Sequence, residues 1–469
     1  MPTTHPESPR PRRRIWLVWK LIALCTVILA GAAAWIAYRP VRIVDYRAMY
    51  QSAVEQDLPP DAHDTAERTH ELVLSLYQAI QEAGEAAAEI ERTKLSPGEE
   101  EPDYIEYSDF QAIPLRPGSS DDAGDVAYAR LMLSHLDKAG AWQDIDSIGN
   151  SPIFIRDLGE SPLLADDFDI IHCSPQLRRC MSALQARMYE QARAGNGEGV
   201  VRSFASGMTL AVAYARLGLV MDWLISASNQ TLLIHTMSRV INDNLLSSNE
   251  LEHLADSLNS LPTVIPLSES LKFEHTYILA GIQREHIQAS PSERLQRFVL
   301  QRPGRAETER AIDRFFSQLI PIFDQPGHSR PRLSLRDQDR TILDDLRLLS
   351  FIRTPVQVRD GLTCRLDGLR LYVAIERYKL ANGGRPPGSL DDLVPTFLPT
   401  IPRDHYAPDG AFRYTVLGDS YTLYSVGLDR SDDGGTPAPP GEPADVAFFP
   451  DGAGTDYLIG RPVQHQTTE

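Results

Sequence analysis

Residues 197–242 read GEGVVRSFASGMTLAVAYARLGLVMDWLISASNQTLLIHTMSRVIN. Two helical patterns, 197–217 and 220–242, follow each other with almost nothing between them, so the chain turns straight back on itself. The same grammar extends in both directions. Before the hairpin, Leu72, Leu76, Ile80, Ala83, Ala87 and Ile90 recur at three- and four-residue steps and predict a helix over 61–94. Helices are predicted over 122–139 and 174–194, the second capped by Ser174 with Pro175 at its first position and stopped at Gly195. After the hairpin come 248–261, 267–288, 306–319 ended by Pro321, and 337–381 interrupted near Pro355. The prolines and acids of 94–122 predict a long surface excursion. Helical hairpins joined by short connections predict a solenoid or an irregular bundle, although no clean internal repeat is present.

The formal charge is −18, and it is unevenly spread. Residues 1–40 hold six of the 46 basic residues and only Glu7 of the 64 acidic ones, so the remainder carries a net −23 (40 against 63). A body that acidic repels nucleic acid and favours divalent cations and basic partners. Residues 21–38 (LIALCTVILAGAAAWIAY) carry no charge and follow the PRPRRR run. Length, flanking Trp16, Trp19, Trp35 and Tyr38, and the basic cluster predict a transmembrane signal-anchor over 15–38. The N-terminus is then cytoplasmic and the bulk of the chain periplasmic, as in a single-pass protein of a bacterial inner membrane. A cleaved signal peptide ending at Ala32-Ala33-Ala34 is the rival. Four cysteines make no disulfide scaffold: Cys173 and Cys180 are two helical turns apart, about 10 Å, and read with Cys364 as buried free thiols.

Beyond Ala381 the character changes. NGGRPPGS is a dense turn, Ser389 caps a short helix with Asp391 and Asp392 in its first turn, and AFRYTVL and SYTLYSV predict two strands joined through Gly418-Asp419. Residues 444–449 read as one further short strand. The run from LYVAIERYKLANGGRPPGSLDDLVP to YSVGLDRSDDGG resembles the globular domain of the type II secretion major pseudopilin, over about residues 362–450. The matching positions are Asn382-Gly383, Pro386, Asp404, Tyr414 and Tyr424-Ser425-x-Gly427-x-Asp429. The prepilin-peptidase site of that family has no counterpart near residues 15–38, and His405-Tyr406 stands where the family has Pro and an aromatic. The resemblance therefore implies a borrowed module rather than a polymerising pilin.

Asp429-x-Ser431-x-Asp433-Gly434 matches the first half of an EF-hand-type loop, but Pro440 stands where the closing glutamate belongs. The pseudopilin resemblance implies calcium here, with the Leu428 carbonyl and Asp445 added, so the expected ligands are Leu428, Asp429, Ser431, Asp433 and Asp445. A solvated acidic loop is the alternative. His275 and His286, preceded by Glu274 and Glu285, lie eleven apart, a spacing that serves structure better than metal binding. Nucleophile-elbow, phosphate-loop, C-x-x-C and H-E-x-x-H signatures are absent from the sequence.

The expected fold class is mainly α: a membrane-anchored helical-hairpin body, solenoid or bundle, followed by a small α+β pseudopilin-like module with a β-hairpin or short antiparallel sheet. The expected division is a basic tail (1–14), the anchor (15–38), the helical region (41–350), the module (351–460) and a terminal tail (461–469). The expected function is non-enzymatic interaction or assembly with protein partners of the cell envelope, linked to machinery of the type II secretion kind. A membrane-tethered hydrolase with its site in the helical region is the alternative.

Overall fold

The computed structural model describes residues 26–31, 33–35, 43–55, 58–94, 123–147, 152–156, 173–262, 265–300, 303–325, 330–331, 333–427, 430–432, 434–435 and 457–460. Within them the chain is mainly helical. In order come α1 (Tyr46–Glu55), α2 (Ala62–Arg92), α3 (Ala123–Ala139), α4 (Ala141–Ser147), α5 (Ser174–Arg193) and α6 (Gly197–Tyr214, extended by a 3-10 turn at Ala215–Leu217). There follow α7 (Val220–Asn242), α8 (Ser248–Ser260), α9 (Leu267–Gln288), α10 (Pro291–Val299), α11 (Arg305–Phe323), α12 (Asp337–Asp345) and α13 (Leu348–Ala381). A 3-10 turn at Leu390–Leu393 leads to the strands β1 (Arg413–Leu417), β2 (Ser420–Ser425) and β3 (Tyr457–Gly460).

Helix α7 is the hub. It packs against α5, α6, α9 and α13, and its apolar positions Trp223, Ala227, Leu233, Ile234, Met237, Val240 and Ile241 are all buried. The α6–α7 hairpin closes tightly because Gly207 faces Leu233: a Cβ there would lie 2.7 Å from the leucine side chain. The turn between them needs Gly218, at φ +102°, where a Cβ would meet Phe273 at 2.9 Å and the Tyr50 hydroxyl at 3.0 Å. Asn196 starts α6 by accepting from the Gly199 N–H at 3.0 Å. Ser247 and Glu250 exchange capping bonds at the start of α8.

The strands form an antiparallel sheet of order β1-β2-β3. The hairpin turns through Gly418-Asp419, with Leu417 opposite Ser420, as predicted. Strand β3 pairs with β2 antiparallel, at a position where the sequence predicted none; the strand predicted at 444–449 lies outside the described residues. Tyr421 and Leu423 of β2 are buried against α13, where the Tyr421 hydroxyl donates to Glu376 at 2.6 Å. The same helix packs on α7 and α8, and one hydrophobic core runs from Val73 to Val426 across both regions.

Several expectations require correction. The membrane-anchored fold, the transmembrane and signal-anchor reading of 15–38, and the inner-membrane location are overturned: among the described residues no helix is long and apolar enough to cross a membrane. Pro321 does not end α11, which runs two residues further because Leu319 and Phe323 bury its last turn. Nor does Pro355 break α13. The interruption falls earlier, at Arg347 with φ +56°, and the helix passes through the proline to bury Val358, Leu362, Leu369 and Leu371. Cys173, at φ +43°, rather than Ser174, occupies the cap of α5. Leu371 and Ile375 of α13 are buried, whereas Leu380 is exposed. Cys173, Cys180 and Cys364 are buried free thiols, as expected.

Candidate functional site

The predicted calcium ligands Leu428, Asp429, Asp433 and Asp445 lie outside the described residues, and Ser431 sits exposed on the loop after β2. Among the described residues no group of three or more His, Cys, Asp or Glu side chains could hold a metal ion. The loop's described backbone is tightly curled, with Gly427, Arg430, Gly434 and Gly435 all at positive φ. Asp432, absent from the predicted ligand set, fastens it to the sheet. Its carboxylate accepts from the Tyr424 hydroxyl at 2.8 Å, from Arg413 Nε at 2.9 Å and from the Gly434 N–H at 3.2 Å. The Tyr424 hydrogen bond, aided by Gly434 and Arg413, holds the Asp432 carboxyl below the usual carboxylate range. In donor chemistry the predicted set, hard oxygens from carboxylates, a hydroxyl and a carbonyl, fits calcium.

The other positions that carry the resemblance serve the module's framework. Asp404 is buried and accepts from the backbone N–H groups of Tyr406 at 2.8 Å and Val426 at 3.3 Å, tying the loop before β1 to the end of β2. Asn382 ends α13 by donating its side-chain amide to Tyr378 O at 2.8 Å. The Tyr414 hydroxyl donates to Pro387 O at 2.7 Å. Asp392 closes the short helix reciprocally, accepting from the Ser389 N–H at 2.9 Å.

A dense polar cluster lies in the helical region, where the sequence pointed to nothing. At the start of α7, Asp222 is fully buried and both its oxygens are used. One accepts from Arg156 Nη2 at 2.5 Å and the other from the Leu219 N–H at 2.9 Å. From α9, Glu274 reaches the same helix end and accepts from the Val220 N–H at 3.2 Å. From α1, the Tyr50 hydroxyl donates to Leu217 O, and its ring lies 5.4 Å from that of Phe273. The Glu274 residue keeps some solvent contact, but its carboxyl is enclosed. Burial pushes it up to about 7, with the Asp222 charge adding to the rise while the Val220 N–H and Arg156 oppose it. Burial likewise raises the Tyr50 phenol. Two carboxyls, one guanidinium and a phenol thus meet at one helix N-terminus, where negative charge is favoured.

This cluster escaped sequence reasoning because Arg156 and Asp222 are 66 positions apart and Glu274 is 54 from its Val220 partner. Glu274 read only as the neighbour of His275, whose ring turns elsewhere, to Asp313 at 2.9 Å and onto Phe316. His275 and His286 are not brought together as ligands: His286 Nδ1 lies 2.9 Å from Ile282 O on its own helix. The one available signal was the third-position acid of α7, since Asp222 after Leu219 is where a capping carboxylate sits.

No protein-family model, curated protein or solved structure matches the chain.

Proposed function

We propose that the chain is a non-catalytic protein of interaction or assembly, in which the helical body presents a pseudopilin-like module to a protein partner belonging to machinery of the type II secretion kind. The observation that supports this reading is the double use of α13. Towards the body, Arg370 donates to Leu258 O at 3.3 Å and the Tyr372 hydroxyl to Asn242 Oδ1 at 3.4 Å. Towards the module, Glu376 receives Tyr421. One rigid helix therefore sets the module's orientation, and a pre-oriented surface binds without an ordering cost. The module's outward strand carries Val416 and Leu417 exposed. The calcium reading belongs to the same proposal, with Leu428, Asp429, Ser431, Asp433 and Asp445 stiffening the loop beside that surface.

A hydrolase reading would use Glu274 as its proton acceptor, since its carboxyl titrates near neutrality. It is the weaker reading because Asp222, Arg156 and Tyr50 are engaged with one another and with backbone.

Cross-linking mass spectrometry on the tagged full chain, captured with its partners, tests the proposal. Cross-links to one partner should map to the module and disappear in Leu417→Asp. Cross-links confined to the helical body, or unchanged in that variant, would reject the reading. For the ion, calorimetric titration of the full chain with calcium should give heat that Asp429→Ala abolishes. Equal heats from the two proteins would remove calcium from this loop.

A further inference from the structure

Strand β1 is an open edge of the sheet. In the order β1-β2-β3, β2 covers one of its sides, and β3 lies beyond β2. The connection through Gly418, at φ +65°, and Asp419 is a two-residue turn with glycine at its first position, so Leu417 and Ser420 exchange both backbone bonds. Alternation along the ladder then gives Thr415 and Arg413 to β2 as well, and turns the N–H and C=O groups of Tyr414 and Val416 to the other side. Among the described residues no backbone hydrogen bond meets them there. Such edges are ordinarily protected by proline, a bulge or a charge in mid-strand. Here β1 pairs through all its positions without a bulge, has no proline, and carries its charge, Arg413, at its first position. Its other end is apolar and exposed, Val416 at 37% and Leu417 at 63%.

We propose that this edge pairs with the same edge of a second copy of the chain, antiparallel about a twofold axis at Thr415, to give one continuous sheet of order β3-β2-β1-β1-β2-β3. The register follows from what β1 offers. The outward backbone groups of Tyr414 and Val416 find each other when Tyr414 of one copy lies opposite Val416 of the other. Opposite residues share a face, so this register also sets an aromatic against a β-branched side chain on both sides of the axis. That is a favoured cross-strand pair, and it covers the exposed Val416. On the other face Thr415 meets Thr415 of the second copy, and Arg413 lies opposite Leu417. Arg413 is then diagonal to Asp419 of the second copy, exposed at the hairpin turn, and the twofold repeats that opposition of charge. A strand that reads Tyr-Thr-Val between a base and an acid is complementary to itself, which is the argument for a second copy as its occupant. Edge pairing alone buries much less surface than a stable dimer needs, so the dimer is weak and reversible. It does not rest on the partner proposed above.

Sedimentation velocity and disulfide trapping on the full chain test the pairing. Between about 1 μM and about 500 μM, the range in which weak interfaces form, the sedimentation coefficient should rise from the monomer value towards that of a dimer. Val416→Lys, at an exposed position, should stay monomeric across that range, with an unchanged circular dichroism spectrum as the check on its fold. Under mild oxidation Thr415→Cys should form a covalent dimer above the wild-type background. The axis brings that residue against itself at the short spacing of a non-hydrogen-bonded pair, which a disulfide can span. Val416→Cys, one position away and on the other face, should be trapped far more slowly. A monomer at every concentration overturns the proposal, whether a segment of the same chain or another protein takes the edge. A dimer that survives in Val416→Lys overturns it, since another surface would then join the copies, and so does equal trapping at the two cysteines. Should Val416→Lys lose its fold, the trapping comparison decides alone.

Discussion

Two Arg–Asp pairs in this molecule share their chemistry and little else. Arg156–Asp222 joins a segment before residue 157 to the start of α7 at 2.5 Å, with side chains 1% and 0% exposed. Arg413–Asp432 joins β1 to the loop after β2 at 2.9 Å, with side chains 26% and 44% exposed. Inside, each charge has lost its water, so every lone pair must be used, and Asp222 divides its two oxygens between a guanidinium and a backbone N–H. Outside, water and salt share the load, and Asp432 can be replaced at small cost. The inner pair is a condition of folding, whereas the outer one adjusts a loop.

The hardest way to break that contrast is Asp222→Ala. It strands the Arg156 charge and frees the Leu219 N–H, and should cost about 3–5 kcal/mol. Urea denaturation followed by circular dichroism measures it. A loss below about 1 kcal/mol would put the inner pair in the class of surface pairs.

Second in size is Glu274→Gln, which sharpens the contrast by removing the one carboxyl of the inner cluster that is poised to change charge. Burial raises the folded-state value to about 7 from the ordinary 4.5, so between those values the folded chain holds a proton that the unfolded chain releases. Wild-type stability should therefore decline as pH rises from about 4.5 to about 7 and level off above, by on the order of 2 kcal/mol once residual solvent contact is allowed for. Glutamine keeps an acceptor for the Val220 N–H and carries no charge, so the variant should show a flatter curve and exceed the wild type at about pH 8. Parallel denaturation curves for the two proteins across that range would contradict the assignment.

How much of this could be read from the chain follows from the range of each interaction. Helices α7 and α9 fall at their predicted limits because their period, their flanking residues and Pro266 are local signals. The hairpin through Gly418 was legible for the same reason. Pro321 and Pro355 misled because the cost of a helical proline is local, about 3 kcal/mol, while the burial of Phe323, Val358 and Leu362 that offsets it depends on helices elsewhere in the chain. As for sites, the acidic loop announced itself by spacing. The Arg156–Asp222–Glu274 cluster could not, because its members come together only when α7, α9 and the segment before residue 157 pack.

The smallest expected effect lies at the outer pair. Removing the Asp432 carboxylate by Asp432→Ala takes away the acceptor for Tyr424 and Arg413 at once, yet Arg413 keeps Asp409, 3.0 Å away, as a second partner. The cost in global stability should stay below about 1 kcal/mol and shrink further in about 1 M salt. Tyr424→Phe removes only the hydroxyl and should cost less still. It should also let the Asp432 carboxyl rise towards its ordinary value, because the Tyr424 hydrogen bond is the leading cause of its depression. Carbon-detected NMR titration of the Asp432 side chain measures that rise directly. An unchanged titration in Tyr424→Phe would mean that Arg413 and the Gly434 N–H hold the loop without the phenol, and that the outer pair's hold on the sheet is electrostatic alone.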